Sequence, residues 1–207
     1  MGLDDYRYNT ILIEESVKAE NPGFGHSVQN DLVVPYLLRH TTEEQKKRWL
    51  PKICSGETIG ALAMTEPGGG SDVAAIKTLA KDMGDHFLVN GSKSFITNGL
   101  LADLVIVACK TDSKAGAHGI SLIILERGME GFERGSKLDK IGQVGQDTAE
   151  LFFKDVKVPK ENLLGEEGKG FYYMMESLPK ERLSIAAGAI AVIEFVLDLT
   201  IQYCHDR

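Results

Sequence analysis

The chain has 207 residues, of which 43% are hydrophobic and 26% are charged, and its formal net charge at pH 7 is −7. These proportions are typical of soluble globular proteins and exclude disordered, collagen-like and low-complexity chains. Because the surface is acidic on average, it repels nucleic acid and anionic lipid, and we expect neither as a partner.

The three cysteines, Cys54, Cys109 and Cys204, are too few and too scattered for a disulfide framework, and the sequence has no Cys-x-x-Cys pair. This usage predicts free thiols in a reducing compartment and no metal site. The first residues are acidic and lack the basic region and the apolar run of a signal peptide, so we expect no secretion signal.

The first third of the chain is predicted to be helical. Apolar residues at helical spacing predict one helix over Tyr6–Ala19, a break at Pro22–Gly25 and a second helix over Gln29–Leu38. Thr41–Glu44 has the pattern of a capping box, which opens a third helix that Pro51 should bend or end.

The middle third changes to the patterns of β-strands. Residues 87–93 predict a strand that enters a turn at Asn90-Gly91, and the apolar runs 104–108 and 120–125 predict strands buried on both faces. Residues 151–159 predict a further strand that ends in proline. Short strands separated by glycine-containing turns favour a small antiparallel barrel or sandwich.

The last third returns to helix. The fixed φ of Pro179 suits the first turn of a helix, and a single apolar stripe then follows. The stripe consists of Leu183, Ala186, Ile190, Ile193, Leu197, Ile201 and Cys204. Because Glu194 and Asp198 would cost about 6 kcal/mol in a bilayer, a buried amphipathic helix is favoured over a membrane span. We expect the partner of this stripe to lie outside the chain.

The segment richest in potential chemistry is Ala63–Asp72, which has three consecutive glycines between Thr65 and Ser71. Successive glycine N–H groups can approach a ligand closely and form an anion-binding nest, and the two hydroxyls can donate or accept. A nucleotide P-loop is excluded because no Gly-Lys-Ser/Thr ending follows. A mobile glycine turn between the helical and strand parts is the alternative.

Three other segments carry weaker functional signals. Phe95–Gly99 places an aromatic ring beside a hydroxyl and could stack on a planar ligand, although a strand edge with Phe95 in the core is the simpler interpretation. In Pro179–Arg182, a carboxylate at the start of a helix is explained by the helix dipole alone. His118 fits an ordinary loop histidine.

Taken in order along the chain, these motifs resemble the acyl-CoA dehydrogenase family. The resemblance rests on Thr42–Lys46, Leu50-Pro51, Gly56-Glu57, Met64–Asp72, Asn90–Lys93, Ile96–Gly99, Asp147-Thr148, Val158-Pro159 and Glu181-Arg182. It covers essentially the whole chain, and the Thr-Glu-Pro-Gly segment is a highly specific mark of the family. The resemblance is closest to the long-chain members, through Ala117–Leu122, Gln146–Phe153 and Gly170–Tyr173.

The resemblance implies an FAD-dependent dehydrogenase that desaturates the Cα–Cβ bond of a fatty acyl-CoA thioester in β-oxidation. In this chemistry a carboxylate removes the α proton while hydride leaves Cβ for flavin N5. The long-chain and isovaleryl types place the base immediately before an arginine, which implies Glu181, followed here by Arg182.

The remaining site residues follow from the same resemblance. The flavin would contact Leu62, Ala63, Met64, Thr65, Glu66, Pro67, Gly68, Gly69, Gly70, Ser71, Phe95, Ile96 and Thr97. The acyl-CoA would contact Ser71, Ala117, His118, Tyr172, Pro179, Lys180, Glu181 and Arg182.

The resemblance also implies an α+β fold in three parts. Residues 1–58 would form part of an amino-terminal helical domain, residues 59–164 a central β domain and residues 165–207 the start of a carboxy-terminal helical bundle. Family members are about twice as long, so the chain is expected to be a fragment that lacks both ends.

The resemblance further implies a homodimer or homotetramer, electron transfer flavoprotein as the electron acceptor, and a location in the mitochondrial matrix or the bacterial cytoplasm. Two alternatives stay open. One is an acyl-CoA oxidase or flavin monooxygenase on the same scaffold. The other is a non-catalytic chain that binds acyl-CoA or pairs with a full-length partner.

Overall fold

A computed structural model of the chain describes residues 5–20 and 25–207. Its main helices are α1 Arg7–Lys18, a π-helix Val28–Val33 that continues into α2 Val34–His40, α3 Glu43–Ser55 and α4 Gly170–Asp206. The helices predicted over Tyr6–Ala19 and Gln29–Leu38 are confirmed, with small shifts at their ends. Pro22, Gly23 and Phe24 of the predicted break lie outside the described residues.

The described strands form one mixed sheet. They are β1 Gly60–Ala63, β2 Leu79–Asp82, β3 His86–Thr97, β4 Leu104–Lys110, β5 Ile120–Glu126, β6 Phe132–Lys137, β7 Thr148–Pro159 and β8 Leu163–Leu164. Their order is β6-β7-β3-β2-β4-β5-β8, and β1 also pairs with β4. The strands predicted over 104–108, 120–125 and 151–159 are confirmed. The purely antiparallel arrangement is wrong, because β1 and β2 both run parallel to β4 after crossover connections.

The sheet lies between two apolar cores. One contains the inward side chains of β3, β4, β5 and β7, among them Val107 and Ile123. The other packs the outer side chains of β4 and β5, such as Ile106, against Tyr36 of α2 and Trp49 of α3. Because both of its faces are covered, β4 is buried along its whole length, as its continuous apolar run predicts.

The turn predicted at Asn90-Gly91 is wrong. β3 runs unbroken through both residues and pairs with β7 on either side of them. Gly91 has a φ of +147°, and a Cβ there would lie 2.6 Å from Thr78 Oγ1, so the close approach of the neighbouring segment requires glycine. The register shifts between Val89 and Gly91, which makes the pair a β-bulge instead of a hairpin turn.

The third helix begins with a capping box, but its two members are Thr42 and Gln45. Thr42 Oγ1 accepts from the Gln45 N–H at 3.2 Å, and Gln45 Oε1 accepts from the Thr42 N–H at 2.8 Å. Pro51 does not end this helix, because Trp49 and Ile53 anchor the chain in the core on either side of the proline. The helix ends at Ser55, where the following glycine adopts a left-handed φ of +79°.

α4 begins well before Pro179, so the prediction that this proline occupies a first helical turn is wrong. Ser177 before it and Glu181 and Ser184 after it are buried against the rest of the protein, and this packing carries the helix across the missing N–H. Glu181 therefore lies inside a helix, and the helix dipole does not explain its position.

The apolar stripe predicted on α4 is exposed, so the described chain does not cover it and a partner outside the chain stays a prediction. Ile193 is 60% exposed, and the face that contacts the protein instead carries Met174, Ser177, Glu181, Ser184 and Ala191. Small and polar residues face inward there because α1 and the π-helix approach α4 closely. By length and composition alone α4 is able to cross a membrane, and 11% of its apolar 18-residue window is buried.

Candidate active site

The glycine segment forms a tight loop after β1. Glu66 and Gly69 pair through two backbone hydrogen bonds of 3.0 Å, one in each direction. Gly68 and Gly70 are exposed, and a Cβ on Gly68 would meet nothing within 4 Å. The loop therefore has a defined backbone conformation with one side open to a ligand.

A buried ion pair connects this loop to β3. Lys93 Nζ lies 2.8 Å from Glu66 Oε1, and the two side chains are 0% and 8% exposed. Lys93 Nζ also donates to Met64 O at 2.9 Å, while Glu66 accepts from the N–H groups of Lys77 and Thr78 at 2.7 and 2.9 Å. The Glu66 carboxylate is occupied by the protein's own donors, so its role is to hold the loop on the sheet.

Burial acts on both members of the pair. By itself it would raise the pKa of Glu66, but the hydrogen bonds from Lys93, Thr78 and Lys77 outweigh it and hold that pKa below its ordinary value. Burial lowers the pKa of Lys93. The loss of either partner would therefore leave an uncompensated polar group in the core.

The backbone of β3 bulges at Phe95, directly after this pair. The register shifts between Lys93 and Ile96, and Phe95 has a left-handed φ of +59°. That conformation costs a residue with a Cβ about 1–2 kcal/mol and is rare for an aromatic side chain. It turns the side chain outward, and 70% of Phe95 is exposed although the residues on both sides of it are buried. The interpretation of Phe95 as a core residue at a strand edge is therefore wrong.

Two threonines lie beside the bulge. Thr97 follows it on β3, and Thr65 lies on the neighbouring glycine loop. Ser94 N donates to Thr65 O at 2.9 Å, so the glycine loop and the bulge are direct neighbours. The hydroxyls of Thr65 and Thr97 make no hydrogen bond within residues 5–20 and 25–207. An exposed aromatic ring beside open glycine backbone and two available hydroxyls can stack on a planar ring and bind its polar edge.

The other predicted flavin contacts divide into two groups. The side chains of Leu62, Ala63 and Ile96 are buried in the two cores, so contact with a ligand would run through their backbone. Pro67 and Ser71 are exposed on the loop.

Of the predicted acyl-CoA contacts, Ala117, His118 and Tyr172 lie along a rim that continues from the loop. The 3₁₀-helix Val73–Ala75 packs against a second 3₁₀-helix that carries the half-buried Ala117 and the exposed His118. A Cβ on Gly168 would lie 2.7 Å from His118 O, so the loop before α4 runs beside this helix. Tyr172, in the first turn of α4, is 65% exposed. Three distant parts of the sequence thus meet at one rim.

Glu181 is buried between α4 and α2, with 9% of the residue exposed. Its Oε1 accepts a hydrogen bond of 3.1 Å from the hydroxyl of Tyr36, which is fully buried. Burial raises the pKa of Glu181, and the bond from Tyr36 offsets this only in part. A carboxylate with a raised pKa in a poorly hydrated site is a stronger proton acceptor than one in water.

The neighbours of Glu181 point in other directions. Pro179 and Arg182 are exposed, and Lys180 borders a cleft of about 410 Å³ beside α1, the π-helix and α2. The segment Pro179–Arg182 is therefore helical, and only Glu181 is directed into the protein.

The structure brings together the glycine loop and the Phe95 bulge, and separately Glu181 and Tyr36. One apolar core, which contains Tyr36 and Leu62 with Met64 packed against it, connects the two groups. Sequence reasoning missed Tyr36 and the role of Lys93, because their partners are distant in sequence and neither residue type is unusual in a helix or a strand. Within the described residues, no cluster of three or more His, Cys, Asp or Glu side chains is arranged to hold a metal ion.

The whole sequence is similar to known proteins of one family. Three models of acyl-CoA dehydrogenase domains match it: the N-terminal domain over residues 1–57, the middle domain over 61–156 and the C-terminal domain over 168–207.

Individual relatives agree with these models. The chain is 50% identical over 209 residues to the mitochondrial long-chain specific acyl-CoA dehydrogenase of Sus scrofa, covering 100% of this chain and 49% of the relative. It is 45% identical to the mitochondrial isovaleryl-CoA dehydrogenase of Oryza sativa subsp. japonica, covering 100% of this chain and 51% of the relative. The crystal structure of an acyl-CoA dehydrogenase from Geobacillus kaustophilus superposes with a TM-score of 0.95 at 54% identity, covering 98% of this chain and 54% of that one. The chain thus spans about half the length of the relatives it matches.

Proposed function

The chain belongs to the acyl-CoA dehydrogenase family, and on that premise we propose that it carries out the FAD-dependent α,β-desaturation of a fatty acyl-CoA thioester. The long-chain acyl group is the proposed substrate, on the strength of the 50% identity to the Sus scrofa relative. The proposal concerns the activity of a protein of the relatives' full length, of which this chain spans about half.

The observation that carries the proposal is the bulge at Phe95. A phenyl ring held outward on a left-handed residue gains little from packing, since 70% of it is exposed. Backbone strain that persists without a packing benefit is typical of binding and catalytic sites. The available hydroxyls of Thr65 and Thr97 and the open glycines Gly68 and Gly70 complete a surface that fits a flavin.

The residues that hold the flavin are those of this surface. Phe95 supplies a stacking face, the two threonine hydroxyls are hydrogen-bonding partners for the ring edge, and Ser71 lies where the loop approaches the acyl-CoA rim. The Lys93–Glu66 pair keeps the loop and the bulge in register. When bound, the flavin supplies the hydride acceptor of the desaturation.

Glu181 accepts the α proton of the thioester. Its Oε1 is held by Tyr36, which leaves Oε2 as the atom that takes the proton. Because the site is buried, water competes poorly for this carboxylate, and the neutral acid formed is favoured by its surroundings. Ala117, His118 and Tyr172 bind the coenzyme A part, and Lys180, at the cleft beside α1, and the exposed Arg182 are further acyl-CoA contacts that the family resemblance implies.

The remaining features of the proposal follow from the relatives. An electron transfer flavoprotein is the proposed electron acceptor, as the family resemblance implies. The mitochondrial names of several relatives support a mitochondrial matrix location, and a bacterial cytoplasm fits equally. We propose that the exposed side of α4 packs within a C-terminal helical domain, because the C-terminal domain model covers 168–207, and that the protein is a homo-oligomer, as the family resemblance implies.

A visible absorption titration tests the proposal. A protein of the relatives' full length that contains this chain is purified and mixed with FAD, and acyl-CoA esters of increasing length are added without oxygen. Binding of FAD followed by bleaching of the flavin band with long-chain esters is the expected result. Glu181→Gln should keep the bound flavin and abolish bleaching, whereas Glu176→Gln, an exposed carboxylate on the same helix, should bleach normally.

Other outcomes separate the alternatives. Flavin that binds and never bleaches would contradict Glu181 as the base and favour a non-catalytic acyl-CoA-binding chain. Bleached flavin that returns to the oxidised form rapidly when air is admitted would favour an oxidase or monooxygenase.

A further inference from the structure

Tyr36 is fully buried in the apolar core under the sheet, and its hydroxyl is directed at a single carboxylate. The ring packs in the same core as Leu37, Trp49 and Met174. The hydroxyl donates to Glu181 Oε1 at 3.1 Å, across a sequence separation of 145 residues. A phenylalanine would fill the same space, so packing alone does not explain the hydroxyl.

We propose that Tyr36 is a positioning residue for Glu181: its hydroxyl fixes one carboxylate oxygen and presents the other to the substrate. The inference rests on the proposed function, in which Glu181 removes the α proton. Tyr36 acts only through Glu181 and touches neither the substrate nor the flavin in this scheme.

The chemistry of the pair fits this role. Burial, and after it the charge of Glu181, raises the pKa of Tyr36, so the phenol keeps its proton and stays a donor. A donor to the ionised carboxylate favours the form that acts as a base and limits the rotation of the carboxylate. Ser177, one turn before Glu181 on α4, lies beside the same hydroxyl.

The elements packed around Glu181 carry other charged and titratable groups. They are Tyr6 at the start of α1, Asp31 of the π-helix, Tyr36 and His40 of α2, and Glu176, Lys180 and Arg182 of α4. Asp31 accepts hydrogen bonds from Asn9 and Ser184, so its carboxylate is already engaged one helical turn away. Tyr36 is the described side chain that donates to Glu181.

Titration of Glu181 by carbon NMR tests the inference without any flavin. The full chain is labelled with glutamate enriched at the carboxyl carbon, and the Glu181 signal is assigned by its loss in Glu181→Gln. Tyr36→Phe should raise the midpoint of this signal by about one pH unit, because a hydrogen bond to a charged group has disappeared. Tyr173→Phe removes a hydroxyl that accepts from Glu166 N instead, and it should leave the midpoint unchanged.

The second readout is the pH dependence of flavin reduction by acyl-CoA. In Tyr36→Phe the rising limb should move upward by the same amount, with reduction about tenfold slower below the midpoint and unchanged flavin affinity. An unmoved NMR midpoint, or a lower stability with an unmoved pH profile, would overturn the inference. Absence of flavin reduction in the wild-type chain would instead overturn the proposed function, while the NMR titration still decides whether Tyr36 acts on Glu181.

Discussion

The sheet and the long helix α4 differ in how much of their apolar surface they bury within the described chain. β4 and β5 are covered on both faces and bury nearly every side chain, and the buried ion pair beside them is fully hydrogen-bonded. α4 buries one narrow face of small and polar residues and leaves apolar residues such as Ile185 and Ile193 exposed. The proposed flavin surface is therefore supported by contacts within the described chain, whereas the proposed base lies on a helix that is mostly exposed after Glu181.

This difference means that the glycine loop and Glu181 are held in place by different parts of the molecule. The sheet fixes the geometry of the glycine loop and of the Phe95 bulge through contacts within the described chain. α4 fixes Glu181 through one face only, so its orientation depends on the seam with α1, the π-helix and α2. We expect substitutions in the sheet to change global stability most, and substitutions on α4 to reveal function or association.

The largest expected effect comes from breaking the buried ion pair. Lys93→Met should lower the free energy of unfolding by about 3–5 kcal/mol, because the Glu66 carboxylate is left buried without its cation. Chemical denaturation followed by circular dichroism measures this. The double variant Lys93→Met/Glu66→Gln should recover most of the loss, and a single variant that costs under about 1 kcal/mol would contradict the account.

A matched pair of isoleucines tests the contrast directly. Ile123→Ala in β5 should lower the free energy of unfolding by about 2–5 kcal/mol, because the side chain is fully buried and leaves a cavity. Ile193→Ala on α4 should change it by no more than about 0.5 kcal/mol, since 60% of that residue is exposed. An equal cost at both positions would mean that another copy of the chain covers α4 in solution, which sedimentation would detect.

Glu181 should reduce stability at neutral pH. The pKa of Glu181 is higher in the folded protein than in the unfolded chain. Stability is therefore complete below the unfolded pKa, where Glu181 is neutral in both states, and part of it is lost as pH rises through the folded pKa and the buried carboxylate ionises. Glu181→Gln should therefore be more stable than the wild type at pH 7, by about 1.4 kcal/mol for each pKa unit of the shift, and equal to it in acid. Denaturant midpoints from pH 4 to pH 8 measure the difference, and a gap that widens toward acid would have the wrong sign.

The smallest effect concerns the strained aromatic residue. Phe95→Asn should raise the free energy of unfolding by about 0.5–1 kcal/mol, because asparagine tolerates the left-handed conformation and little burial is lost. The same change should weaken FAD binding, since the stacking face is removed. Loss of stability without loss of FAD affinity would show that the ring serves packing instead.

Local sequence patterns predict most of the helices and strands, and the predictions that fail do so where contacts between distant segments determine the structure. The continuous apolar runs of β4 and β5 and the threonine cap of α3 were readable because they depend on neighbouring residues. Asn90-Gly91 has the local pattern of a turn, but the glycine is required by the close approach of Thr78, which is remote in sequence and leaves no local pattern. Pro179 was misread as a helix start because tertiary packing, and not propensity, carries α4 through it.

The candidate site divides in the same way. The resemblance named Thr65, Phe95 and Glu181, but no sequence pattern indicated that the Glu66 carboxylate is spent on Lys93, or that Phe95 is left-handed and exposed. Those facts depend on which segments become neighbours across the sheet.

The π-helix Val28–Val33 sets how the residues of α2 are oriented relative to Asp31. Asp31 and Tyr36 are five residues apart, and a regular α-helix would direct them about 140° away from each other. Here both contact α4, at Ser184 and Glu181, because the wider π turn rotates the chain less for each residue. Six residues of π-helix turn through about the same angle as five residues of α-helix, so a one-residue deletion within Val28–Val33 that restored the ordinary pitch should leave Tyr36 directed at the proposed base. The wide turn thus accommodates one extra residue in the helix while Asp31 and Tyr36 both keep their contacts with the distant helix α4.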